Sequence, residues 1–257
     1  MMPQPPDPGF FIGYSKKVPP VIAQCALLFG VFLFLGLVSA SLAFSLSTPN
    51  PGSGGYVDEL RGGHLTGVLE TLPYPILRVP AQDGQSPRAI MLSGQGKAGV
   101  ANQADPLNGQ WAAVSGIFVK RGALDMLLVG GKPGLVGTEP PAGASQPSAP
   151  VSLGRWRLTG EICDGKCYAG AMRPGTGLAH KACANLCITG GVPPVFVTTS
   201  PVEGHNFLLM AGSDGGPLPR EMLDQTGLLI ELEGEVEQRD DLLIFRVELP
   251  TARGANS

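Results

Sequence analysis

The sequence predicts a mainly β protein with an N-terminal transmembrane helix followed by two tandem β modules. Three observations predict this fold class. A long uncharged apolar stretch lies near the N-terminus. The 37 glycines and 25 prolines favour short strands joined by turns over long helices. A series of short apolar runs then occurs twice in the rest of the chain.

The predicted transmembrane helix covers residues 21–46. No charged residue occurs between Lys17 and Asp58, and a helix needs about 20 apolar residues to cross the hydrocarbon core. Two lysines directly precede the helix, so the positive-inside rule places the tail 1–20 in the cytoplasm and the rest of the chain outside it. The alternative is a cleaved signal peptide, with Ser41-Leu42-Ala43 as its processing site.

Composition divides the chain after the helix into two modules. Residues 47–55 and 131–152 are rich in Pro, Gly and Ser, which is typical of linkers. They leave a first module at 56–130 and a second module at 153–250, with a tail at 251–257. Each module has the length of a small domain.

Both modules contain the same series of apolar runs. The series begins with HLTGVLE at His64–Glu70 and RLTGEIC at Arg157–Cys163, and it ends in hairpins at Gly109–Val129 and Gly227–Val247. Each module supplies five short runs, with room for a short helix after the third. This is the layout of an oligonucleotide/oligosaccharide-binding (OB) fold, which both modules therefore resemble. An unrelated β-sandwich is the alternative.

The modules differ in the connection between their first and second strands. In the first module residues 68–74 separate the Leu-Thr-Gly sequence that ends at Gly67 from Pro75, whereas in the second module residues 161–193 separate the one that ends at Gly160 from Pro194. In the OB fold this connection commonly helps to form the binding face, and loops on a rigid scaffold often carry function. We therefore expect the chemistry of the protein to lie in this insertion.

Cysteine and histidine residues are concentrated in and beside the insertion. A short helix is predicted at Leu178–Ile188, and at 3.6 residues per turn it places His180, Cys183 and Cys187 on one face. The preceding turn would bring Cys167 over that face. Three thiolates and one imidazole suit a tetrahedral Zn²⁺ ion, and an iron–sulfur cluster is the alternative cofactor.

Disulfide bonding is a second interpretation of the same cysteines. An even number of cysteines in an exported domain is expected to pair oxidatively, which makes Cys163, Cys167, Cys183 and Cys187 disulfide candidates. Such bridges would fix a glycine-rich insertion that has little core of its own. A catalytic thiol pair is a third interpretation, although the context of a thioredoxin is missing. The spacing alone leaves all three open.

The insertion resembles a group of exported or membrane-anchored bacterial proteins without an established activity. The sequence GEICDGKCY ends at Tyr168 and is similar to the string G-E-[IV]-x-D-x-x-C-Y of that group, in which it precedes a His/Cys string on an OB-like barrel. The resemblance covers residues 155–250. It implies that Cys167, His180, Cys183 and Cys187 act together and that the position of Cys163 is variable. This odd number of thiols favours the metal interpretation.

Other residues and motifs set limits on the function. Asp164, Lys166, Tyr168 and Arg173 lie near Cys167 in sequence and are predicted to support the site. The chain has no C-x-x-C-H motif, so covalent c-type haem is not expected, and it has no G-x-S-x-G, Walker or H-E-x-x-H motif. A net charge of −3 gives no basic surface for nucleic acid.

These features together predict an accessory or interaction subunit of a membrane redox or respiratory complex, with no turnover of its own. We expect it in the cell inner membrane, with a cytoplasmic N-terminus and periplasmic C-terminal domains. One anchor before an exported barrel is also similar in architecture to the haem chaperone of cytochrome c maturation. A metal or haem carrier, or assembly factor, is therefore one alternative, and a thiol-disulfide oxidoreductase is another.

Overall fold

An apolar helix near the N-terminus forms a unit of its own. The computed structural model describes residues 18–47, 52–81, 84–248 and 253–254, and the chain divides into units at 1–49 and 50–257. Helix α1, Pro20–Ser47, has no acidic residue in its first turn and no basic residue in its last. Its part Pro20–Ala43 has a mean hydropathy of 2.6 and is long and apolar enough to cross a membrane. A signal sequence has the same properties, so orientation and compartment stay predictions.

The first module forms one open sheet of eight strands. The strands are β1 Gly55–Val57, β2 Leu65–Glu70, β3 Ile76–Val79, β4 Arg88–Ser93, β5 Trp111–Val114, β6 Gly116–Arg121, β7 Leu124–Val129 and β8 Leu135–Gly137. Their order is β1-β6-β7-β4-β3-β2-β5-β8, with β4 and β7 parallel and the other neighbours antiparallel. Strand β8 lies within the predicted linker. The predicted first closed barrel is thus not confirmed.

The second module contains a closed five-stranded barrel. Its strands are β9 Val151–Asp164, β10 Pro194–Val202, β11 His205–Gly212, β12 Leu229–Arg239 and β13 Leu242–Val247, and the two-residue β14 Arg253–Gly254 pairs with β12. The barrel runs β9-β10-β11-β13-β12 and closes through pairing of β12 with β9. Only β11 and β13 are parallel. This is the strand order of the OB fold that the apolar runs predicted.

Short helices connect the strands at the predicted places. Helix α2, Ala101–Ala104, continues into a 3₁₀ turn at Asp105–Leu107, and a second 3₁₀ helix spans Arg220–Gln225. The insertion between β9 and β10 contains one wide turn, Cys167–Ala171, and helix α3, Lys181–Thr189. Helix α3 begins later than predicted because His180 is its N-cap residue. Cys183 and Cys187 still lie one turn apart on it.

The two modules share a hydrophobic core. Strand β4 is buried along most of its length, so both of its faces are covered. One face, with Ile90 and Leu92, packs inside the first module. The other, with Met91, joins Val195 and Leu209 of the second module in one cluster. The modules therefore form one compact unit through side chains that alternate along the same strand.

A buried ion network ties the modules together away from the insertion. Arg78 of β3 is only 2% exposed, and its guanidinium donates to the carboxylate of Glu70 at 3.0 Å and to the backbone oxygen of Arg239 at 3.2 Å. The carboxylate of Asp240 lies 3.5 Å from the same guanidinium. Since a buried charge is tolerated only when it is paired, this contact fixes the β12–β13 hairpin against the first module.

Candidate Cys/His site

The structure brings the four predicted ligand residues into one cluster. Ligand atoms of Cys167, His180 and Cys183 all lie within 4.8 Å of one another, and so do those of Asp164, Cys167 and Cys187. Cys167 belongs to both groups and joins them. The end of β9, the wide turn after it and the first two turns of α3 supply these side chains, as the helical spacing predicted.

Asp164 organises the cluster from below. It is fully buried, its Oδ1 accepts the backbone N–H of Cys167 at 2.8 Å, and its Oδ2 lies 2.8 Å from Nε2 of His180. When Nε2 donates to this carboxylate, Nδ1 keeps the lone pair that a metal needs. A carboxylate that holds the far nitrogen of a histidine is the usual outer partner of a histidine ligand. The sequence identified Asp164 only as a supporting residue.

Two lysines bring positive charge to the sulfur atoms. Nζ of Lys97 lies 2.7 Å from Sγ of Cys183 and 4.0 Å from Sγ of Cys187. Lys166 is buried, and its Nζ donates to the carbonyls of Gly94 and Gly96 at 3.0 and 2.5 Å. Burial lowers the pKa of Lys166, while the hydrogen bond to Cys183 raises the pKa of Lys97. Cations next to thiols favour the thiolate, which is the form that binds metals.

The thiols of Cys167 and Cys187 interact, and each changes the pKa of the other. Their hydrogen bond raises the pKa of Cys167 and lowers the pKa of Cys187. Burial and the carboxylate of Asp164 raise the pKa of Cys167 further, whereas the nearby lysines lower that of Cys187. The contact with Cys167 and the nearby lysines therefore favour the thiolate form of Cys187.

Lys97 is a site residue that the sequence did not indicate. It comes from the first module, in the turn after β4, and no motif connects it to the insertion. Backbone contact holds the turn in place, because the N–H of Gly99 donates to the carbonyl of Gly190 at 2.7 Å. A Cβ on Gly190 would lie 1.9 Å from the carbonyl oxygen of Lys97, so only glycine fits. The first module thus completes the site.

Met172 is a second residue that the sequence did not indicate. Its Sδ lies 3.4 Å from Sγ of Cys183. A thioether is a soft, weak donor, which adds to the preference of the cluster for thiophilic metals. Its spacing from Cys167 follows no familiar ligand pattern, so only the fold of the insertion places it here.

Cys163 lies in the core and not in the cluster. It is fully buried in the core shared by the modules, and its Sγ donates to Oε1 of Glu161 at 3.2 Å. Burial raises its pKa well above the ordinary value. Cys163 and the three cluster cysteines are all free, with no pair at bonding distance. The structure thus gives no support to the predicted disulfides among these four described residues.

Tyr168 and Arg173 anchor the insertion to the first module. The guanidinium of Arg121 stacks 4.8 Å from the ring centre of Tyr168 and donates to its carbonyl at 3.2 Å. Arg173 donates to the carbonyl of Gly54 at 3.3 Å. These contacts hold the insertion against the first module, and support of Cys167 by Tyr168 and Arg173 stays a prediction.

Comparison with known proteins does not identify a family. No protein-family model matches the chain, and no curated protein and no solved structure matches it either. The function of the protein is therefore inferred from the geometry of the site.

Proposed function

We propose that this protein holds a thiophilic metal ion, with Zn²⁺ as the first candidate, through Cys167, His180, Cys183 and Cys187. The observation that carries the proposal is the buried carboxylate of Asp164, which contacts both His180 and the backbone of Cys167. Three thiolates and one imidazole form a common tetrahedral set for structural zinc. The carboxylate orients two of the four ligands before the metal binds.

The local electrostatics support thiolate ligation. Three thiolates around a divalent cation leave a net negative charge, which Lys97 and Lys166 offset from one side. Metal binding requires deprotonated cysteines. Cys187 already has a lowered pKa, whereas Cys167, whose pKa the contact with Cys187 raises, would release its proton as the metal binds. Because Lys97 lies between Cys183 and Cys187, its ammonium group would turn aside when both sulfur atoms bind the ion.

We place this metal site in a membrane-anchored accessory subunit of a membrane redox or respiratory complex. Helix α1 supports the anchor, and a metal ion with four protein ligands and no open coordination position suits a structural or interaction role. The N-terminus would be cytoplasmic and both modules periplasmic. If the protein is instead a metal carrier, its metal will exchange with a competing chelator, whereas a closed structural site will hold it.

The first module is proposed to be a second OB-like barrel with an interrupted fourth strand. Strand β5 pairs with β2 and strand β6 pairs with β7, and only Ser115 separates β5 from β6. Read as one broken strand, β5 and β6 close the order β2-β3-β4-β7-(β6, β5), which matches the second module. An experimental structure in which β5 and β6 do not continue one another through Ser115 would contradict the proposed barrel.

Elemental analysis of the purified full-length chain tests the metal proposal. We expect about one metal ion per chain, with loss of most of it in Cys183→Ser. The matched control is Cys163→Ser, which removes a thiol from the same module outside the cluster and should keep the metal. A metal-free wild-type chain after purification without chelators and after zinc addition would refute the proposal.

Membrane fractionation and co-purification test the setting. The intact chain should sediment with inner membranes, and an external protease should cut the modules only after the outer membrane is opened. Mild detergent should retain a larger membrane complex around it. Recovery of the chain as a free cytoplasmic protein would contradict the proposed compartment.

Thiol–disulfide exchange is a second candidate function, which the Cys167–Cys187 pair favours. The Cys187 thiolate would attack a substrate disulfide and release one substrate thiolate. Cys167, once deprotonated, would then attack the mixed disulfide, leaving a Cys167–Cys187 disulfide and a reduced substrate. This activity would be lost in Cys167→Ser and in Cys187→Ser, and it would persist in Cys183→Ser. Activity with that pattern in a metal-free chain would favour this candidate.

A further inference from the structure

A cavity of about 830 Å³ opens beside the Cys/His cluster. Its walls come from both modules, and the side chains of Cys167 and Cys187 form part of one wall. Cavities of about 300–1,000 Å³ hold small organic ligands. The volume exceeds what a metal ion with its four ligands needs, so the cavity requires an explanation of its own.

Large apolar side chains contribute to the lining of the cavity. Tyr56, Ile117 and Met172 are among the lining residues, and each is about half exposed or more. A single exposed apolar side chain is common on a protein surface. Several apolar side chains that line one cavity favour the binding of an apolar ligand. The first module supplies Tyr56 and Ile117, and the insertion supplies Met172.

Positive charge also lines the cavity. Lys97, Lys132 and Lys166 are among the lining residues, and Asp58 is the one acidic residue in the lining. Asp58 already accepts the backbone N–H of Arg61 at 3.0 Å. Within the described part of the chain, none of the three lysines forms a salt bridge with a carboxylate. Even with the charge of a Cys187 thiolate included, positive charge is in excess.

From these walls we infer that the cavity binds an organic anion with an apolar or aromatic body and a carboxylate group. Lys132 and Lys97 would receive the carboxylate, and Ile117 and Tyr56 would cover the body. The cavity shares Lys97, Cys167 and Cys187 with the proposed metal site, whereas Tyr56, Ile117 and Lys132 belong to the cavity lining alone. It goes beyond the proposed metal role by giving the protein a small-molecule ligand.

Calorimetric titration of the full-length chain with 2-naphthoate tests this inference, with detergent micelles alone as the blank. We expect one binding event per chain. Acetate, which lacks the body, and naphthalene-2-methanol, which lacks the charge, should bind at least about tenfold more weakly. Lys132→Ala should weaken naphthoate binding about fivefold, because a partly exposed charge pair contributes up to about 1 kcal/mol.

The matched control is Arg157→Ala, which removes one exposed positive charge and is not among the residues that line the cavity. It should leave naphthoate affinity unchanged, and Ile117→Ser should weaken it without changing the metal content. The inference is overturned if naphthoate does not bind, or if Lys132→Ala and Arg157→Ala behave alike. Metal content measured on the same samples separates the two proposals, because the metal can be present without naphthoate binding, and the reverse.

Discussion

The connection β2–β3 of the first module and the connection β9–β10 of the second module differ greatly in length. Between β2 and β3 the chain needs only residues 71–75 to reverse direction, and it buries Tyr74 there. Between β9 and β10 residues 165–193 intervene and carry the sulfur cluster. The first module nevertheless takes part in the cluster, since its Lys97 contacts two of the thiols. The sulfur cluster thus lies in the long connection of the second module, and the first module supplies a further contact to it.

The contact between the modules is expected to carry the largest single effect. Replacing Arg78 by Met leaves the buried carboxylate of Asp240 without its cation, and loss of one partner of a buried pair costs about 3–5 kcal/mol. Urea unfolding followed by fluorescence measures the loss. Both modules should unfold together at a lower urea concentration.

The control for this change is Arg157→Met, which breaks exposed pairs with Glu231 and Glu233. Exposed pairs contribute little, so its unfolding midpoint should barely move. Equal effects of the two variants would show that the modules do not depend on the buried network.

We expect Asp164→Asn to weaken the hydrogen bonds and the zinc affinity of the insertion and to leave the first module unchanged. The amide keeps the size of the side chain but can no longer accept hydrogen bonds on both sides, and a buried donor left without a partner costs about 1–3 kcal/mol. Zinc affinity should fall about 10–100-fold, as is usual when the outer partner of a histidine ligand is lost. Competition with a chromogenic chelator gives the affinity.

The outcome that counts against this role of Asp164 is a destabilised variant with unchanged zinc affinity. In that case the carboxylate would serve folding only. His180→Ala should reproduce the zinc loss if the histidine is a ligand.

Reactivity of Cys187 should decrease when its hydrogen-bond partner is removed. Cys167→Ala deletes the thiol that stabilises the Cys187 thiolate, so the pKa of Cys187 should rise towards its ordinary value. In metal-free protein the rate of iodoacetamide labelling at neutral pH should fall. Mass spectrometry of labelled peptides against pH gives the pKa.

Lys97→Met tests the contribution of the first module to the pKa of Cys187. The pKa of Cys187 should again rise, but by less than in Cys167→Ala. Lys97 acts on Cys187 through its charge at 4.0 Å and is not the main hydrogen-bond donor. A lysine outside the cluster, Lys120, is the control. Identical labelling of Lys97→Met and wild type would remove the first module from the site.

Tyr74 provides the smallest predicted effect. Its hydroxyl accepts the N–H of Leu218 at 3.0 Å, so Tyr74→Phe should cost about 1 kcal/mol at neutral pH. Burial raises the pKa of Tyr74 to about 12. Because ionisation is easier in the unfolded chain, the stability from Tyr74 is complete below pH 10 and is lost as pH rises towards 12.

Unfolding free energies of wild type and Tyr74→Phe should therefore converge between pH 10 and 12. Exposed Tyr56, changed to Phe, should leave the wild-type pH dependence intact. A constant difference between wild type and Tyr74→Phe across this range would contradict the assignment.

The periodicity of the sequence predicts more of the second module than of the site. Alternating runs place β9 to β13 in order, and the helical spacing brings Cys183 and Cys187 to one side of α3. Arg78 lies in an apolar run where a charged residue suggests exposure, but its partner 162 positions away makes it buried. Lys97 shows the same limit. Long-range partners of single polar residues leave no local pattern in a sequence.

The predicted separation of the modules also shows this limit. A Pro- and Gly-rich segment at 131–152 suggests independent domains, whereas the structure joins them through one core. The continuous run from Ala89 to Leu92 contained a hint, because a strand buried on both faces has no polar alternation. Which surface would cover the second face depends on the whole fold.

X-ray absorption spectroscopy at the zinc edge of the purified, zinc-loaded full-length chain tests the proposed set of ligands. We expect three sulfur neighbours at about 2.3 Å and one nitrogen at about 2.0–2.1 Å, with one sulfur lost in Cys183→Ser and all three kept in Cys163→Ser. A first shell of oxygen and nitrogen alone, or a spectrum that Cys183→Ser leaves unchanged, would contradict it.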